Sequence, residues 1–143
     1  MDITIPQKQT FKLKSEPSCS KEVAEMAECF MNAAKSLHKL HLKISGVGSY
    51  ASHVALNEIY TAMPDFADSL VENFQGASGE IINCKETLAK ELNSVKDAIM
   101  YLKELKKEIN LLQNKLPYSE IINDLDVAKS AINKTLYKLT FLQ

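Results

Sequence analysis

The chain has 143 residues, 45% of them apolar and 24% charged, with a formal net charge of −1. That is one domain's worth of chain, long enough to bury a real core, and four glycines and four prolines supply little material for the many turns of an all-β fold. All 17 basic residues are lysines, so the bidentate guanidinium contacts that read guanine edges are excluded, and near-neutral charge gives no bulk attraction to nucleic acid or anionic membrane. The three cysteines, Cys19, Cys29 and Cys84, form no Cys-x-x-Cys pair, which excludes a zinc ribbon or thioredoxin-type site. No run reaches the length of a membrane span, and no signal segment is evident at the start, so a cytoplasmic, reducing setting is expected.

Residues 1–19, "MDITIPQKQTFKLKSEPSC", alternate polar and apolar and carry Pro6 and Pro17. They read as an extended arm, with a short strand at "TFKLK". Its lysines, Lys8, Lys12 and Lys14, are the weak candidates for DNA contact, and packing on a neighbouring subunit is the competing role. From Ser20 to the end the pattern is helical, so the expected division is an arm over 1–19 and a four-helix bundle over 20–143.

Ser20 can cap a first helix in which Val23, Met26, Ala27, Phe30, Ala33, Ala34, Leu37 and Leu40 recur at three and four. "SGVGS" breaks it. A second helical pattern spans about Tyr50 to Phe74, through Val54, Ile59, Met63, Phe66, Leu70 and Val71, with Pro64 predicting a kink or short break. After "QGASG", Leu88, Leu92, Val95, Ile99, Leu102, Leu105, Ile109, Leu112 and Leu116 follow one bundle seam that Pro117 stops. Ile121, Leu125, Ala128, Ile132, Leu136 and Leu139 mark a last helix. Four helices joined by short connections predict an all-α, antiparallel four-helix bundle.

One stripe of polar side chains stands out. On the second helix His53, Asn57, Asp68 and Glu72 are spaced 4, 11 and 4, which advances by only roughly 20–40° per step and keeps them on one slowly drifting face. Imidazole and carboxylate suit iron, zinc or manganese. His53 and Glu72 lie about 28 Å apart along a helix, so one chain cannot close such a site. Two copies of the helix paired antiparallel about a two-fold axis bring His53 to the partner's Glu72 and Asn57 to the partner's Asp68. His41, at the end of the preceding helix, completes each site if the "SGVGS" loop folds back. The alternative is a solvated face, with a histidine that caps or packs.

The segment "LHKLHLKISGVGSYASHVALNEIYTAMPDFADSLVENFQG" resembles the core of Dps, the ferritin-like DNA-binding proteins of starved cells, over about 40 residues. That family shows His, a second His twelve later, an acid four later, Asp eleven further on and Glu four after that. This chain offers His41, His53, Asn57, Asp68 and Glu72. "YASHVALNEIY" with "DSLVENFQG" is also similar to small Dps-like proteins of tailed phages. The resemblance implies a ferritin-like subunit that assembles into a homo-oligomer. It also implies intersubunit sites where Fe(II) is oxidised and stored, and non-specific protection of DNA. Asn57 stands where the family has an acid and Leu42 where it commonly has a tryptophan. No Glu-x-x-His motif is present, so the di-iron carboxylate centre is not expected. The competing expectation is a non-catalytic structural or interaction protein, such as a phage virion or host-modifying component, that keeps the bundle. No triad, P-loop or nucleotide fingerprint appears.

Overall fold

A computed structural model describes residues 19–143. Four helices, α1 (Ser20–Lys43), α2 (Ser49–Ser78), α3 (Val95–Gln113) and α4 (Ser119–Phe141), account for its regular structure, and there is no strand among the described residues. The expected arm over 1–19, with the strand expected at "TFKLK" and with Lys8, Lys12 and Lys14, lies outside the described residues apart from Cys19.

The apolar 3–4 spacing does what it predicts. Phe30, Leu37 and Leu40 of α1, Leu56, Ile59, Met63 and Leu70 of α2, Leu102 and Ile109 of α3, and Ile121, Leu125 and Ile132 of α4 are fully buried. They share one core, and at roughly 1.5–3 kcal/mol per large side chain it dominates the stability. Cys19, not Ser20, occupies the N-cap of α1, and its thiol donates to the carbonyl of Lys115 at 3.3 Å. Pro64 does not break α2, which runs unbroken through it. The proline is exposed, so its ring sits on the outer side of the helix, and its cost there is the one backbone bond that the Tyr60 carbonyl loses.

The seam differs more. Leu88 is 97% exposed and α3 begins only at Val95, so the first two leucines of the expected run are not helical. The boundary has a local cause. Ser94 Oγ accepts the Asp97 amide at 3.1 Å, and the Asp97 carboxylate accepts the Asn93 amide at 2.9 Å. The pair satisfies the Asp97 amide, which a helix start leaves open, and ties down the amide of the residue just before the cap.

Residues 79–94 therefore form a long crossover without helix or strand, in place of the short connection expected. Gly79, at φ +74°, ends α2 in the left-handed conformation and returns its amide to Gln75 at 2.9 Å. The crossover then runs along α1 in the same direction as that helix. The Thr87 amide bonds Glu28 Oε1 at 3.0 Å, Ser36 Oγ donates to the Lys90 carbonyl at 2.6 Å, and Lys43 Nζ donates to Asn93 at 2.9 Å.

That path sets the topology. Phe30 meets Phe66 and His41 meets His53, so α1 and α2 are antiparallel. Glu58 pairs with Lys138 and Asn73 with Asp124, so α2 and α4 are antiparallel. Gln113 bonds Asp126 and Lys129 bonds Asn110, closing the α3–α4 hairpin. Because the crossover traverses the bundle's length, α2 and α3 run parallel to each other, and every helix pair in substantial contact is antiparallel.

Candidate functional site

All three histidines of the chain meet where the end of α1 crosses the start of α2. Gly48, at φ +80° before Ser49, turns the chain sharply enough for α2 to return along α1. The His41 and His53 rings then stack with centroids 3.7 Å apart and 19° between planes. One turn earlier, His38 stacks on Tyr60 at 4.1 Å, and Tyr60 sets its edge against His41 at 5.1 Å. Tyr60 was not singled out by spacing, although it stands seven residues after His53, two turns along the same face.

The hydrogen bonds fix the chemistry of these rings. His53 Nδ1 lies 3.0 Å from the His41 backbone carbonyl. A carbonyl only accepts, so Nδ1 carries the proton and the neutral ring keeps its lone pair on Nε2. A histidine whose second nitrogen is tied to a carbonyl in this way is oriented as metal-bound histidines are. The same bond also occupies one of the carbonyls that the end of α1 leaves unpaired, which is a capping role.

His41 is only 7% exposed, and its Nδ1 is buried without a hydrogen-bond partner among the described residues. Burial, followed by the His53 and His38 rings, pushes its pKa below the usual histidine value. The His41 ring is therefore biased toward the neutral imidazole, which is the state a metal ion requires of a histidine ligand.

The remaining members of the predicted set are not joined to this pair within one chain. Asn57, Asp68 and Glu72 are exposed on the outer face of α2. Asn57 Oδ1 accepts the Tyr60 hydroxyl at 3.0 Å, which ties it to the aromatic cluster. No group of three or more His, Cys, Asp or Glu side chains among the described residues stands close enough to hold a metal ion. What one chain offers is two imidazoles at one end of α2 and two carboxylates several turns away. The outer stripe between them, through Asn57, Thr61, Asp65 and Asp68, is open to solvent.

Fold and site together define an all-α four-helix bundle with a histidine–tyrosine cluster at one end. The chain belongs to a family of unknown function (DUF5856), whose pattern matches residues 41–139, more than two thirds of the sequence. The match takes in His41, His53, Asn57, Asp68 and Glu72. No curated protein and no solved structure matches the chain significantly. No helix among the described residues is long and apolar enough to cross a membrane.

Proposed function

We propose that the protein is a Dps-like, ferritin-like homo-oligomer that binds a divalent metal ion, with Fe(II) as its substrate, between two-fold-related copies of α2. The observation that carries this reading is the His41–His53 pair: two rings stacked at 3.7 Å, one pinned by a backbone carbonyl and the other with a buried nitrogen that has no partner among the described residues. The single long crossover, which makes α2 and α3 parallel, supports the ferritin-like assignment, because that arrangement distinguishes ferritin-like bundles from up-down-up-down ones. His41 and His53 of one copy would bind the ion, the partner's Asp68 and Glu72 would balance its charge, and Asn57 would add a neutral oxygen. Iron oxidation and storage would follow from oxygen or peroxide reaching Fe(II) held there, and DNA protection would fall to Lys8, Lys12 and Lys14.

The test exploits the shared site. In the purified oligomer, Fe(II) binding and oxidation should be lost in both His53→Ala and Glu72→Ala. Unfolding and refolding the two variants together should restore about a quarter of the sites, because each mixed dimer keeps one intact pair of contributions. A monomeric protein, or one whose metal uptake ignores both substitutions, would overturn the proposal.

A second reading has its own observation. The bond from Tyr60 to Asn57, together with the capping of α1 by His53, gives both side chains structural work. In this reading the bundle is a structural or interaction protein without chemistry, for example a phage virion or host-modifying component. Unchanged melting temperature on addition of Fe(II), Zn(II) or Mn(II) would favour it.

A further inference from the structure

The basic residues are unevenly placed. Lys35, Lys39 and Lys43 stand at i, i+4 and i+8 on α1, one face of the helix over about 12 Å. The crossover lays Lys90 beside them, held by the 2.6 Å bond from Ser36 Oγ to the Lys90 carbonyl. These four lysines and Glu91 line a cavity of about 500 Å³ with an apolar floor that includes the buried Leu92. Lys43 is matched by Glu91 at 3.7 Å and by Asn93. Among the described residues, no carboxylate lies within ion-pair distance of Lys35, Lys39 or Lys90.

Three unmatched cations thus converge on one concavity of a chain whose formal net charge is −1. Like charges at i, i+4 on a helix destabilise it, and the fourth lysine adds to that repulsion. An anion bound between them removes the repulsion, and lysine serves phosphate as a point charge without guanidinium geometry. The volume lies in the range of small-ligand sites, and the buried Leu92 gives it an apolar floor beneath the exposed lysines.

We propose that this cavity is a binding site for a compact, multiply charged phosphate anion of the pyrophosphate or triphosphate class. It is independent of the histidine pair, which lies on the α2-facing side of α1, and it does not rest on the metal-binding reading.

The probe is inorganic triphosphate, titrated calorimetrically into the full chain at low ionic strength. Binding is expected, weakening as salt rises. The Lys35→Ala/Lys90→Ala variant should weaken it by about 3- to 30-fold, as loss of two partly exposed charge contacts implies. Lys35→Arg/Lys90→Arg should retain it, and circular dichroism checks that each variant folds. No binding by the wild type, or equal binding by the alanine variant, overturns the proposal. So does an outcome in which duplex DNA binds and triphosphate neither binds nor competes, because the lysines would then serve an extended surface rather than a closed site.

Discussion

Removing the Glu28 carboxylate should release the crossover while leaving the bundle folded. Glu28 is 8% exposed, and its Oε1 accepts the Thr87 amide at 3.0 Å, next to the 2.7 Å bond between Asn32 and the Thr87 hydroxyl. Hydrogen bonds to charged groups contribute about 1.5–3 kcal/mol. Thr87 is itself exposed, so water replaces part of the loss, and Glu28→Ala should cost about 1–2 kcal/mol in urea unfolding. Glu28→Gln keeps an acceptor without the charge and should cost roughly half as much. Amide hydrogen exchange separates local from global effects. In Glu28→Ala the Thr87 amide should exchange about tenfold faster or more, beyond the global change reported by core amides such as Leu105. The reasoning fails if the wild-type Thr87 amide exchanges like an unprotected one, or if Glu28→Ala leaves it unchanged. A second readout follows from the same carboxylate: burial and then Glu28 raise the Cys84 thiol above its ordinary value, so Glu28→Gln should speed alkylation of Cys84 at neutral pH.

Acid should weaken the bundle through His41. Its folded pKa lies below the unfolded value, so near and below about pH 6.5 the unfolded chain binds a proton that the folded chain refuses. Stability is therefore complete above about pH 7 and falls as the pH drops through the unfolded value. This one ring contributes at most about 1.4 kcal/mol per pH unit, less where solvent near the bundle's end screens it. Denaturant midpoints across that range should show the decline, and His41→Gln should flatten it; a midpoint that rises on acidification contradicts the sign. The seam gives a paired test. Leu102→Ala should cost about 2–5 kcal/mol and Leu88→Ala no more than about 0.5, because only Leu102 is buried. Equal costs would place Leu88 in the core after all.

Much of the fold was legible because periodicity reports burial directly. Val23 through Leu40, Ile59 through Val71 and Ile121 through Leu139 land in or against the core where their spacing puts them, whereas Val54, the first of the second helix's run, is exposed. The spacing places the start of α3 too early because Leu88 and Leu92 continue the 3–4 pattern by coincidence, and Leu92 is indeed buried, although on a segment that is not helical. The signal that corrects it is "SVKD", a capping pair that competes with the periodicity and wins. Pro64 points the other way: a proline on the outer face costs one backbone bond and need not break a helix. Within the site, twelve-residue spacing around a glycine corner was enough to bring His41 to His53. The convergence of His38 and Tyr60 depends on how α1 and α2 rotate against each other, which spacing within either helix does not specify.

The crossover also decides where the chain leaves the bundle. In an up-down-up-down bundle the first and last helices bring both attachment points to the same end. Here the traverse along α1 reverses the second hairpin, so α1 begins at one end and α4 finishes at the other, about 35 Å away for a helix of 23 residues. Ser20 itself stands at the end that holds the α3–α4 turn, with Cys19 bonded to the Lys115 carbonyl. Anything joined beyond Phe141 emerges beside the histidines. The described bundle thus has two distinct poles, one at the α3–α4 turn and one at the histidines, and a tag fused beyond Phe141 sits at the second.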